Sequence, residues 1–290
     1  MAPEAQPVAL GERAGAALPS PPAAAGQRGP LARGPDPRRG AARFLALLWR
    51  YTPILLLALA WEGATRLGFV SPLALPALDR VGTAWWGLLA SGDLVGNAAL
   101  SLARGGAGLG LAIVLGAPLG ILMAWSKPIR IAFNPLVQAL YPMPKSALIP
   151  VMALWLGFGS ASKVVLIFIG CMLPVTLSAF NGARGTEQVL IWSARSLGAS
   201  RSRVLWEVVL PSALPEILSG IRTALAFAFV LLVSTELIVA RAGLGYMIGW
   251  LGDGGVYDAM FAVVLTVALL GFAADRCWLL LMRRVLRWRV

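Results

Sequence analysis

An all-α polytopic membrane protein with six spanning helices and both termini in the cytoplasm is the fold class this sequence predicts. Three observations carry that reading. The chain is 58% hydrophobic and 13% charged, with a mean hydropathy of +0.77, whereas a soluble domain is about one-quarter charged. Six segments are long and apolar enough to cross a bilayer as helices, which takes about 20 residues each. Lys and Arg gather in alternate connections, as the positive-inside rule demands.

Residues 1–42 are rich in Pro, Ala, Gly and Arg and poor in large apolar residues. They cannot bury a core, so a disordered cytoplasmic tail is expected. Arg38-Arg39 ahead of an apolar run reads either as a twin-arginine export signal, with Ala58-Leu59-Ala60 as its cleavage site, or as the basic flank of a first span. The many later spans favour the flank.

The spans run near 45–67, 98–125, 131–156, 163–182, 216–239 and 259–282. With the N-terminus inside, the cytoplasmic flanks collect the tail arginines, Lys127, Arg130, Arg184, Arg195, Arg201, Arg203, Arg222, and Arg276, Arg283, Arg284, Arg287 and Arg289. The far side holds only Arg66, Arg80, Arg104, Lys163 and Arg241. Two outer segments stand out. Residues 70–97 are too long for a hairpin loop, and Val81, Trp85, Leu88 and Leu89 fall at helical spacing beside Trp86. A short amphipathic helix at the outer interface is expected there. The segment "RAGLGYMIGWLGDGGVYDA" is glycine-rich and aromatic and reads as a structured outer loop.

The residue inventory closes several functional classes. Histidine is absent, and the two cysteines, Cys171 and Cys277, lie in apolar runs. That removes Ser/His and Cys/His enzymes in their usual form, a disulfide framework and a Cys-rich metal site. No cofactor is expected. The net charge of +12 would suggest nucleic acid in a soluble protein; here the orientation signal accounts for it, and no nucleic-acid partner is expected. "GFGSASKV" lacks the second glycine and the hydroxyl of a phosphate-binding loop, so the chain is not expected to hydrolyse ATP itself.

Three stretches carry candidate chemistry. In the second span Gly106 and Gly110 stand four apart, followed by Ala112, Gly116 and Gly120 at the same interval. That is either a close helix-packing seam or a by-product of a glycine-rich composition. The third span contains "LYPMPKSALIP". Pro142, Pro144 and Pro150, with Pro135 earlier, should break the helix, and broken backbone at membrane depth belongs where it is packed in protein or lines a water-filled path. Tyr141, Pro142, Pro144, Lys145 and Pro150 are therefore the candidate translocation pathway. Lys145 either faces that path or snorkels to the cytoplasmic interface. The third stretch is "WSARSLGASRSRVLWEVVLPSALP", residues 192–215, between the fourth and fifth spans. A short helix over Trp192–Leu197 should end at Gly198. A second should start at a Ser200 N-cap, present Val204, Leu205, Val208 and Val209 on one face, and stop at Pro211. The result is a cytoplasmic helix–turn–helix elbow.

This elbow resembles the cytoplasmic loop of the permease subunits of bacterial ABC importers, and the chain is most similar to the nitrate, sulfonate and taurine branch. Ala194, Gly198, Leu210 and Pro211 match the loop pattern, and "LPALDRV", "SLARGGAGLGLAIVLGAPLGILMAWS", "YPMPKSALIPVMALWLGFG" and "GLGYMI" follow the branch in order over residues 50–288. Trp192 stands where the family has glutamate and Ser193 where it has alanine, so an acidic contact to the ATPase is missing or comes from elsewhere. Lys145 stands where branch members often carry an apolar residue.

The resemblance implies a type I importer permease domain over 43–290, with a coupling helix within about 186–212. Trp192, Ser193, Ala194, Arg195, Leu197, Gly198, Ala199, Arg201, Leu210 and Pro211 would seat on a separate ATP-binding cassette subunit, present in two copies. A second copy of this chain would share the pathway, as a homodimer. A periplasmic or lipid-anchored binding protein would deliver a small oxyanion such as a sulfonate, taurine or nitrate, and membrane lipid would surround the bundle. A secondary ion-coupled carrier is the alternative. It is disfavoured because Glu62, Glu236 and Asp275 lie near span ends rather than at the midplane.

Overall fold

The computed structural model describes residues 37–289. The expected tail therefore lies outside the described residues as far as residue 36. The chain divides into Met1–Leu56 and Leu57–Val290; the described part of the first is the leading portion of α1.

Every regular element among the described residues is helical. α1 (Pro37–Arg66) is followed by α2 (Leu78–Ala90), α3 (Asp93–Trp125), α4 (Lys127–Leu140), a 3-10 turn (Lys145–Leu148) and α5 (Ile149–Leu156). Then come α6 (Ser160–Arg184), α7 (Gln188–Ser196), α8 (Arg201–Val204), α9 (Leu210–Val239), α10 (Leu244–Asp253) and α11 (Tyr257–Val285). The six expected spans map onto α1, α3, α4–α5, α6, α9 and α11. Among the described residues α3, α6, α11 and the continuous helix Arg201–Val239 are each long and apolar enough to cross a bilayer. α1 has 30 residues, about 45 Å of helix. It starts six residues earlier than the tail boundary suggests, because Pro37 occupies a first-turn position, where its missing N–H costs no hydrogen bond.

α6 is the centre of the bundle, with α3 on one side and α9 on the other. The α3 seam uses Gly108, Ala112, Gly116 and Gly120, all buried. A Cβ on Gly108 would stand 2.7 Å from Ile167 Cβ and 2.9 Å from the Val164 carbonyl oxygen. The two backbones can approach so closely only without that carbon, which is how helices gain contact in lipid. Of the expected residues Ala112, Gly116 and Gly120 lie on the seam, whereas Gly106 is exposed and Gly110 only half-buried. Gly108 continues the buried stripe in their place, facing α6.

Two outer segments fold as helices. α2 buries Val81, and the Trp85 indole donates to Thr266 Oγ1 at 3.1 Å while Trp86 stays exposed. The expected outer loop is α10, because Leu244, Met247 and Leu251 recur at helical spacing and bury together with Leu94, Ala259 and Val263. The outer end of α1 is tied down by the Trp61 indole on the Pro76 carbonyl (2.8 Å) and by Glu62, which accepts from the Leu78 N–H (2.9 Å).

Candidate functional site

The third span is broken where its prolines predict. α4 ends at Leu140, Pro144 is extended, and Lys145–Leu148 forms a single 3-10 turn before α5 resumes with Pro150 in its first turn. Pro135 sits inside α4 and does not end it. The break opens the Tyr141 carbonyl, and the Lys145 ammonium donates to it at 2.9 Å.

A cavity of about 620 Å³ lies against this break. Lys145 and Ser146 close it on one side, α6 contributes Leu173, Pro174, Leu177, Ser178 and Asn181, and α9 contributes Thr223, Phe227, Val230 and Leu231. Pro174 has no N–H to offer the Gly170 carbonyl one turn back, and both residues line the cavity. The wall is mostly apolar, with one cation (Lys145), four hydroxyls (Tyr141, Ser146, Ser178 and Thr223) and an amide (Asn181) converging from separate elements. That is the composition of a small-solute site. Of the expected pathway residues, Tyr141, Pro144 and Lys145 line the cavity; Pro142 and Pro150 do not.

The elbow forms as the residue types dictate, with one exception. α7 starts at Gln188, earlier than Trp192, and ends at Ser196, with Gly198 just beyond its Leu197 cap at a φ of +85° that favours a residue without a Cβ. The Gly198 N–H donates to the Arg195 carbonyl (2.9 Å) and the Ala199 N–H to that of Ala194 (3.0 Å). Ser200 Oγ then accepts from the Arg203 N–H at 3.3 Å, capping α8. Val204 and Val209 are buried, and Leu205 and Val208 pack against the same core with Ala194, Ala199 and Leu210.

The exception is Pro211, which was expected to stop the second helix. The helix runs on from Arg201 to Val239. Leu205–Val209 widens to a π turn, closed by the Leu210 N–H on the Leu205 carbonyl. The wider turn accommodates a proline that lacks the α-helical donor and whose ring would clash with the preceding turn.

The elbow's outward ridge is apolar and basic. Leu197 is 88% exposed and Trp192 63%; Ser193, Arg195, Arg201 and Arg203 are exposed too. Arg203 pairs with Glu207 at 2.9 Å one turn along. The Arg201 guanidinium lies 5.9 Å from the Trp125 ring centroid. Trp192, Arg195, Arg201 and Arg184 rim a depression of about 310 Å³. A second one, about 420 Å³, is lined by Thr186, Glu187, Glu207, Pro211 and Trp288 among others.

A third arrangement was missed at the level of sequence. At the outer end, Arg104 Nη1 lies 2.8 Å from Glu236 Oε1, with the glutamate fully buried and the arginine nearly so. Arg104 also donates to Ser160 Oγ (3.0 Å) and the Ala242 carbonyl (2.8 Å). Glu236 Oε2 accepts from Ser101 (2.6 Å) and from the Gly245 N–H (3.1 Å), and Ser101 Oγ accepts from the Leu244 N–H (2.8 Å). The fully buried Lys163 donates to the Phe158 and Val239 carbonyls at 2.6 and 2.7 Å. Asn97 accepts from the Gly243 N–H at 2.6 Å. Together these groups fasten α3, α6, α9 and the start of α10. Charge counting treats Arg104 and Lys163 as outer flanks; the available signal was that each is ionisable inside an apolar run.

Residues 116–287 match the family model described as binding-protein-dependent transport system inner membrane component. The chain is 37% identical over 242 residues to the taurine transport system permease protein TauC of Escherichia coli (strain K12), covering 82% of this chain and 88% of that one. It is 35% identical over 237 residues to the putative aliphatic sulfonates transport permease protein SsuC of Bacillus subtilis (strain 168), covering 82% and 86%. Among solved structures, a chain of the inward-facing MetNI methionine ABC transporter superposes with a TM-score of 0.57 at 20% identity, over 67% of this chain and 96% of that one. At that identity the likeness concerns the fold alone.

Proposed function

The chain belongs to the binding-protein-dependent transport inner-membrane component family, and from that premise we propose that it carries a small sulfonate-type oxyanion through the cavity beside Lys145. The protein is a multi-pass inner-membrane permease subunit of an ABC importer, not itself an enzyme. ATP is hydrolysed on a partner ATPase subunit, and a substrate-binding protein delivers the solute.

The observation that carries the substrate reading is the Lys145 cavity. A single ammonium among Ser146, Ser178, Asn181 and Thr223 suits one negative charge with several oxygens, and the apolar remainder suits a short alkyl part. The similarity to permeases named for taurine and aliphatic sulfonates supports the same class. Lys145 also has an internal carbonyl partner, so it can pass its donors from protein to solute without standing unpaired between cycles.

Two copies of this chain form the passage, each seated on one of two ATPase subunits through its elbow. The exposed Leu197–Trp192 ridge with Arg195 and Arg201 calls for an apolar ATPase groove with an acidic rim. Trp192 then replaces an acidic contact by burial.

Reconstitution with a cognate ATPase subunit and binding protein tests the reading. Lys145→Met should lower ATP-driven taurine uptake while leaving membrane abundance unchanged, and Gly198→Trp should abolish ATPase co-purification or ATP-dependent uptake. Normal uptake by Lys145→Met would overturn the role of the cavity. Transport by Gly198→Trp that needs no ATP would overturn the elbow's.

A further inference from the structure

The exposed face of α11 carries a graded stripe that neither the cavity nor the elbow uses. Leu269, Phe272, Arg276, Leu280 and Arg283 follow one another at steps of three and four on α11, so they share one face, and Arg287 follows in a 3-10 turn just past the helix end. Leu269 and Leu280 are 61% and 62% exposed, and Phe272 is half-exposed. The Arg276 guanidinium stacks 4.7 Å from the Phe272 ring centroid. At the cytoplasmic end a hollow of about 380 Å³ is lined by Leu280, Arg283, Arg284 and Arg287 alone.

None of these arginines has a carboxylate ion-pair partner among the described residues. The ion pairs among the described residues engage Arg66, Arg104, Arg203 and Arg222. Asp275, the nearest acid on the helix, is held by Arg222 through two hydrogen bonds of 2.6 and 3.1 Å. A three-arginine hollow with no internal anion leaves its donors open to an external one, and the guanidinium fork suits phosphate oxygens.

We propose that this hollow binds the phosphodiester headgroup of an anionic phospholipid of the cytoplasmic leaflet, its acyl chains lying along Leu280, Phe272 and Leu269. Apart from Arg276, which lies over the Phe272 ring, the order along the stripe is the order a bilayer imposes, with hydrocarbon first and the arginine cluster after. From Phe272 to Arg283 the helix rises about 16 Å, close to one leaflet of a hydrocarbon core roughly 30 Å thick. A protein partner such as the ATPase would not require this apolar continuation up the span. Basic residues at the cytoplasmic end of a spanning helix attract anionic lipid in this way.

Native mass spectrometry of the assembled transporter, with phosphatidylglycerol or phosphatidylcholine added in detergent, tests the assignment. The wild type should retain phosphatidylglycerol in preference. Arg283→Gln, Arg284→Gln and Arg287→Gln should lower that retention by roughly fivefold each, with ATPase co-purification unchanged. A triple Arg→Lys variant keeps the charge needed for membrane insertion and should keep a reduced preference, so the test survives misfolding of the Gln variants. Equal retention of the two lipids by the wild type would overturn the proposal. So would Gln variants that shed the ATPase but hold the lipid, which would assign the arginines to that partner. Inorganic phosphate displacing phosphatidylglycerol at equal concentration would mark a free-anion site instead.

Discussion

At the outer end, Arg104, Lys163 and Glu236 are buried, and each is surrounded by named donors and acceptors. At the cytoplasmic end, Arg195, Arg201 and Arg203 stand in the open beside Trp192 and Leu197, and only Arg203 has an ion-pair partner among the described residues. The contrast follows from what each end holds together. The outer network joins four elements of one chain, so its charges are satisfied inside and its loss falls on stability. The elbow presents its charges and apolar ridge outward, so its loss falls on a partner. A buried charge is retained only with partners, whereas an exposed one is solvated at little cost.

Removing Glu236 should break the comparison most forcefully. Glu236→Ala leaves Arg104 buried without its carboxylate and should cost about 3–5 kcal/mol. The measurement is the thermal midpoint of the purified protein, with hydrogen exchange over 240–250 rising ahead of the bundle. An unchanged midpoint would mean that the outer network does not hold α10. Gly198→Ala comes next. A Cβ there meets nothing within 4 Å, so the cost is backbone strain alone, about 1–2 kcal/mol. It should appear as weakened ATPase stimulation with little change in midpoint.

Ser200→Ala removes one cap and should cost about 1 kcal/mol, read as faster exchange of the Arg203 amide. Arg203→Ala is the smallest. Its exposed pair with Glu207 is worth roughly 0.3–0.5 kcal/mol, and doubling the salt should shrink even that. If Arg203→Ala rivals Glu236→Ala in thermal midpoint, the division between the two ends fails.

The cytoplasmic end was the legible one, because its signals are local. Gly198 and Ser200 declare their turn and cap within a few residues, and the prolines after Tyr141 announce a break that Lys145–Leu148 fulfils. The α3 seam was legible at Ala112, Gly116 and Gly120 but not ahead of them, since Gly106 and Gly108 look alike until α6 is placed beside them. The outer network was legible only as ionisable residues inside apolar runs, not as a set of partners. Arg104 and Glu236 stand 132 residues apart, and nothing near either names the other. Pro211 misled for a physical reason: a proline forbids the next α-helical bond but not a wider turn.

That wider turn fixes an angle between two distant surfaces. An α-helix advances about 100° per residue, and the five residues Leu205–Val209 absorb one residue that a regular α-helix would have had to turn through. The ridge at one end of this 39-residue rod and the Thr223–Phe227–Val230 face farther along it are thereby set in phase by counting rather than by contact. Deleting one of these residues along with the wide turn would leave the two surfaces in phase. Replacing Pro211 so that the same five residues wind as regular α-helix would instead swing one surface about a quarter-turn against the other. Both would stay well folded and be aimed wrongly.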